Sequence, residues 1–188
     1  MQIDINQYKI SMGDKYQISV NGQKSYFAST KLFSWLPEIN LFKNQENRAI
    51  YTINKQFAWF KTSYNLSRYD NNLFKFRTKS IWRLHYYCQV GQDLYDIYGH
   101  LGRKYSIYKN DIQIAWWDKE WISLLNGDNY SIIADNDCDV ELLISFCLII
   151  DNSTDHNNNT NTITFDLGNI GSPEKKFDNT WQPKAVEY

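Results

Sequence analysis

From residue 7 to residue 134 the chain alternates apolar and polar positions in short runs of five to nine residues, each ended by turn-forming residues. Period-two alternation puts one side of each run toward a core and the other toward water, as in an antiparallel meander. The pattern then changes. Over residues 140–150 only Glu141 and Ser145 are polar, and being four apart they share one narrow stripe of a helix. Such a helix is apolar nearly all round and must be wrapped by protein. Eleven residues rise roughly 16 Å at 1.5 Å each, about half a bilayer core, which is too short for a membrane span.

The hairpins are legible one by one. Runs 16–20 and 24–29 flank Asn21-Gly22, a type I′ turn signal. Runs 38–43 and 48–54 flank a polar tetrapeptide, as do 62–68 and 73–79. Runs 82–90 and 94–98 flank Gly91-Gln92, runs 104–108 and 112–117 flank Asn110-Asp111, and residues 128–134 end the series. A repeat is visible within it. Leu41-Phe42-Lys43-Asn44 with the following run from Ile50 resembles Ile107-Tyr108-Lys109-Asn110 with the run from Ile114, about 66 residues later. Two copies are too few for a solenoid and suit two halves of a closed sheet.

An open meander of about twelve strands would expose two edges and an uncovered apolar face, whereas closure removes the edges. The expected fold is therefore mainly β, a closed antiparallel barrel around a central apolar helix at about 138–151. The expected domain is residues 1–152, followed by a polar loop at 153–161. A strand-like run at 162–167 opens a tail, 162–188, in which Trp181 and Pro183 are placed to pin it to the same domain.

The chain is 188 residues long, enough for one good core. Aromatic residues make up 16%, with seven Trp and fourteen Tyr, which argues for a sheet-rich folded protein. A formal net charge of −1 provides no global pull toward nucleic acid or membrane, so either partner would need a local patch. Cys88, Cys138 and Cys147 are odd in number and lack CxxC spacing, unlike a disulfide framework. No basic region followed by an apolar run opens the chain, and its four Asn-x-Ser/Thr matches are those expected of an Asn-rich sequence. The expected location is cytoplasmic, at most peripheral to a membrane.

The order of parts resembles a known family. Tyr105 to Trp117, YSIYKNDIQIAWW, precedes Gly127 to Ile132, GDNYSI, then an aspartate, then an apolar helix ending in Ile150-Asp151. This is similar to the LURP-one-related proteins, within the tubby C-terminal-like group that also includes phospholipid scramblases. The likeness covers about residues 8 to 152. It implies a twelve-stranded barrel around a near-terminal helix, and in tubby-type domains a basic surface that binds phosphoinositides, although no residue carries over one by one. A departure is that roughly 36 residues follow the helix here.

Candidate chemistry is sparse. Asp135-Asn136-Asp137-Cys138-Asp139 begins like a calcium loop, but Val140 stands where the turn needs Gly and Phe146 where a bidentate Glu belongs, so the aspartates read as helix caps. His85, His100 and His156 pair with no Cys or His at metal-ligand spacing and read as surface or loop histidines. No GxSxG or phosphate-cradling loop is present. No cofactor, metal or catalytic residue is expected. Trp116 and Trp117 point to opposite faces of a strand beside Asp118 and Glu120, which suits packing and not base stacking. The one patterned charge feature is Lys75, Arg77 and Lys79 alternating with Phe74, Phe76 and Thr78, a basic outer stripe that Arg68 and Arg83 would extend. The expected function is a non-enzymatic binding or scaffold module, with anionic phospholipid on this stripe or a protein as partner. The alternative is a lipocalin-like carrier with an apolar interior pocket.

Overall fold

The computed structural model describes residues 1–10, 13–31, 37–44, 46–57, 63–81, 84–120, 129–155 and 174–184. Twelve strands precede one helix: β1 Gln2–Ile10, β2 Gly13–Val20, β3 Gln23–Lys31, β4 Glu38–Lys43, β5 Ala49–Gln56, β6 Ser63–Arg68, β7 Leu73–Ser80, β8 His85–Val90, β9 Asp93–Gly99, β10 Lys104–Lys109, β11 Ile112–Glu120, β12 Asn129–Ala134 and α1 Val140–Asp155. Every strand is antiparallel to its neighbour in the chain. β1 also pairs with β12, from Gln2 opposite Ile133 to Asn6 opposite Asn129, so the sheet closes as a barrel with no free edge.

The closing strand is the one the sequence pattern obscured. β1 begins at Gln2, five residues before the regular alternation that the sequence shows from residue 7. Its inward positions are Ile3, Ile5 and Gln7, all buried, and the glutamine breaks the apolar series. Elsewhere the turn chemistry decides the register. Asn21 and Gly22 have φ of 48° and 79°, and Asn110 and Asp111 have 49° and 67°, the left-handed pairs that a two-residue type I′ hairpin requires.

The repeat is structural as well as sequential. Hairpins β4–β5 and β10–β11 lie six strands apart on the twelve-stranded ring, on opposite walls. Each carries a β-bulge at the matching place, between Leu41 and Phe42 in one and between Ile107 and Tyr108 in the other. A bulge adds local twist and bend, and a pair of them on opposite walls bends the ring in both halves.

The helix lies within this ring. All residues from Leu142 to Ile150 are buried, and Phe146 packs between the Phe76 and Tyr95 rings of the wall, with centroids 5.7 Å away in each case. The five connections that follow β2, β4, β6, β8 and β10 gather at the end where the chain leaves β12 and enters α1. Asp139 caps that entry, its Oδ1 accepting the Leu142 amide at 3.0 Å. Ser145 turns its hydroxyl back on the Glu141 carbonyl at 2.7 Å, and Glu141 accepts the Tyr26 hydroxyl at 2.9 Å. The polar stripe is thus satisfied, Ser145 within its own helix and Glu141 by the wall.

α1 runs past residue 151, to Asp155. Asp151 and Asn152 look like a helix end in sequence, yet both are buried. Wall tyrosines meet them: Tyr16 donates to Asp151 at 3.0 Å, Tyr130 donates to its other oxygen, and Tyr64 donates to Asn152 at 3.4 Å. Buried polar groups are tolerable when hydrogen-bonded, and these phenols let the helix continue through the barrel. The strand-like run at 162–167 lies outside the described residues.

Candidate functional site

β7 carries the basic stripe, and the pleat separates it from the core. Phe76 and Thr78 are buried on the inner side, while Lys75, Arg77 and Lys79 are exposed on the outer side. Across the ladder Lys75 faces Asn65 and Arg77 faces Ser63 on β6, and Arg77 faces Tyr87 on β8. None of these neighbours is acidic. Three cations on other strands are paired: Lys31 with Glu38 at 3.1 Å, Lys109 with Asp93 at 2.9 Å and Lys104 with Asp118 at 3.8 Å. Among the described residues no carboxylate lies within ion-pair distance of Lys75, Arg77 or Lys79. Leu73, on the same outer side at the head of the stripe, is half exposed, and Ile81 just beyond the strand is exposed as well.

Arg68 lies elsewhere. On β6 the residues that face β7 cations across the outer side are Ser63 and Asn65, so Tyr64, Leu66 and Arg68 belong to the inner side. The Arg68 guanidinium sits at the barrel mouth, 3.8 Å from Asp70 and over the Tyr69 ring, which Arg48 also approaches. Arg83 lies outside the described residues. The three residues that the structure brings together are therefore Lys75, Arg77 and Lys79.

At the mouth, a cleft of about 420 Å³ opens beside the helix entry, lined by Lys43, Arg48 and Arg68 together with Glu46, Glu141 and Tyr69. Its charges oppose one another. Burial holds the Asp139 carboxyl above its ordinary range, and Glu141 and Tyr26 share a hydrogen bond that, with burial as the larger cause, raises the phenol. A cleft with cations and carboxylates in similar number attracts an anion less than an unopposed row of cations does.

The histidines depart from their sequence reading. His85 is wholly buried, its Nε2 2.6 Å from Asp96 and its Nδ1 2.9 Å from Glu174. His100 is also buried, with Nε2 2.7 Å from the Ser106 hydroxyl, and burial pushes it down to about 4. Both face away from the helix and would be exposed on a bare barrel. The segment 174–184 covers them, a contact between positions about 90 residues apart that no local pattern signals.

A closed, antiparallel, twelve-stranded barrel that holds its own helix and keeps its distinctive charge on the outer wall fits a binding or scaffold module. The chain belongs to the LURP-one-related family, whose model matches residues 1–151. No curated protein and no solved structure matches it. The family match takes in all twelve strands and most of α1, and the segment 174–184 lies beyond it.

Proposed function

We propose that this chain is a non-enzymatic module that docks on anionic phospholipid surfaces through the outer face of β7. The observation that carries this reading is the row of Lys75, Arg77 and Lys79, three exposed cations side by side on one strand face and without a carboxylate partner among the described residues. An unpaired exposed cation keeps its full attraction for phosphate, and each contributes on the order of 1 kcal/mol beside an anionic membrane. Leu73, exposed on the same face, can bury its side chain at the headgroup boundary. No helix among the described residues is long and apolar enough to cross a membrane, which is consistent with docking from one side.

Two features support the non-enzymatic part. Burial pushes the Cys88 thiol up to about 12 and the Cys138 thiol up to about 11, so both stay protonated and weakly nucleophilic at neutral pH. His85 and His100 are covered, away from any substrate. The carrier reading is less favoured, because Leu142 to Ile150 take up the axis where an apolar ligand would sit.

Sedimentation with vesicles tests the proposal. Roughly 3 kcal/mol from three cations corresponds to about a hundredfold loss of partitioning into anionic vesicles at low salt when Lys75, Arg77 and Lys79 are all replaced by Ala. Raised salt should weaken the parent in the same way. Unchanged binding in the triple variant, with the paired Lys109→Ala as control, would refute it.

A further inference from the structure

The wall over β8–β11 breaks strand alternation. Tyr95, Ile97 and Ile107 face the helix, so Asp96, Tyr98 and Ser106 face outward, as does His85 beside the inward Tyr86. All four outward residues are nonetheless buried, whereas the outward positions of β7 are exposed. The cover is the segment 174–184, which crosses this wall from His85 at the head of β8 to Asp135 where β12 ends.

The wall reads that segment at fixed points. Glu174 meets His85, which bridges it to Asp96. Lys175 stands over the Tyr108 ring at 3.9 Å and the Tyr98 ring at 5.5 Å, with Asp111 3.2 Å from its ammonium. This is a cation box of two aromatic faces and one carboxylate. Phe177 packs edge-on against His100 and Trp116, with Lys104 above its ring. Trp181 donates its indole N–H to the Gln113 carbonyl at 3.2 Å, and the Lys184 amide donates to Asp135.

We propose that this wall is a docking groove for a linear peptide, that residues 174–184 are its resident occupant held in cis, and that a partner protein's segment with the order acidic, Lys, any residue, aromatic displaces them. Three observations support displacement. The segment adds no strand to the ladder, because the barrel is already closed by β1 and β12. Its deepest residues, Lys175, Phe177 and Trp181, are only half-buried, and the other described residues of the segment are exposed. The family match ends before it, so the occupant is an addition to the shared barrel. Charge complementarity selects the occupant: a wall offering an imidazole, then an anionic aromatic box, then an aromatic slot suits a mixed-charge peptide and not a phosphate surface.

The test uses the full chain with Lys175→Ala and Phe177→Ala, which loosen the strap without touching the wall, and a fluorescent peptide of residues 174–184. The loosened chain should bind this peptide at least about tenfold more tightly than the parent does, since a tethered occupant competes at high effective concentration. A scrambled peptide, or one with its Lys or Phe replaced by Ala, should bind at least about tenfold more weakly. Absence of binding, binding indifferent to residue order, or strap exchange confined to dimers by light scattering would overturn the proposal. If the double variant fails to fold, a protease site inserted near residue 159 of the parent and cut after folding provides the second readout. Exchange of the released fragment for labelled peptide supports displacement, and a fragment that never exchanges overturns it.

Discussion

Truncating Phe146 to alanine probes the helix-filled interior most sharply. The ring is fully buried at the middle of α1 and lies between Phe76 and Tyr95 on the wall. Losing its burial costs roughly 2–3 kcal/mol, and each of the two tilted aromatic pairs adds about 0.5–1.5 kcal/mol. The interior is ringed by a hydrogen-bonded barrel that cannot collapse inward, so the cavity persists and the total should reach about 4 kcal/mol. For a chain of 188 residues this lowers the melting temperature by about 8–16 °C. Urea titrations of parent, Phe146→Ala and Phe146→Leu would read it, with an unchanged m-value marking the loss as one of stability alone. The leucine should recover about half, and Ile112→Ala, on an exposed turn-end position, should stay within about 0.5 kcal/mol. A Phe146→Ala variant within about 1 kcal/mol of the parent would refute the packed interior.

Two further outcomes follow from the buried polar groups. Because burial lowers His100 to about 4 in the folded state while the unfolded side chain titrates near 6.5, the unfolded state takes up the proton first as pH falls; stability should therefore drop between about 6.5 and 4. Urea titrations at pH 7 and 4.5 should show the parent losing about 2–3 kcal/mol more than His100→Gln, and parallel losses would contradict the assignment. Tyr16→Phe removes one of the two phenols that donate to buried Asp151 and should cost about 1.5–3 kcal/mol, read by the same titration; a neutral result would mean that Asp151 does not depend on this donor.

Much of the barrel was legible because its information is local. Asn21-Gly22 and Asn110-Asp111 specify turns whose positive φ values few other residue pairs tolerate, and the apolar run ending at Ile150 specifies a wrapped helix. What escaped depends on distant partners. β1 is a strand because β2 and β12 flank it, with Gln7 hydrogen-bonded to Tyr16 inside the barrel. Asp151 stays helical because Tyr16, 135 positions away on β2, and Tyr130 on β12 reach it. Arg68 is near the stripe in sequence, but the pairing of Asn65 with Lys75 places it on the other side of the sheet. His85 meets Glu174, a partner 89 positions away. The Lys75, Arg77 and Lys79 row was readable for the opposite reason: alternation alone sends three consecutive outward side chains to one face.

The docking proposal is tested most directly by asking which wall meets the bilayer. Leu73 heads the stripe on β7, and Tyr8 is exposed on β1, six strands away around the ring. Cysteine at either position can carry an environment-sensitive fluorophore, because resident Cys88 and Cys147 are buried and the half-buried Cys138 thiol is held protonated. On mixing with anionic vesicles, emission from the Leu73→Cys label should rise and shift to the blue, and this change should vanish when Lys75, Arg77 and Lys79 are alanine. The Tyr8→Cys label should not respond. Equal responses from both walls, or a silent label at 73 on a protein that sediments with the vesicles, would contradict the account.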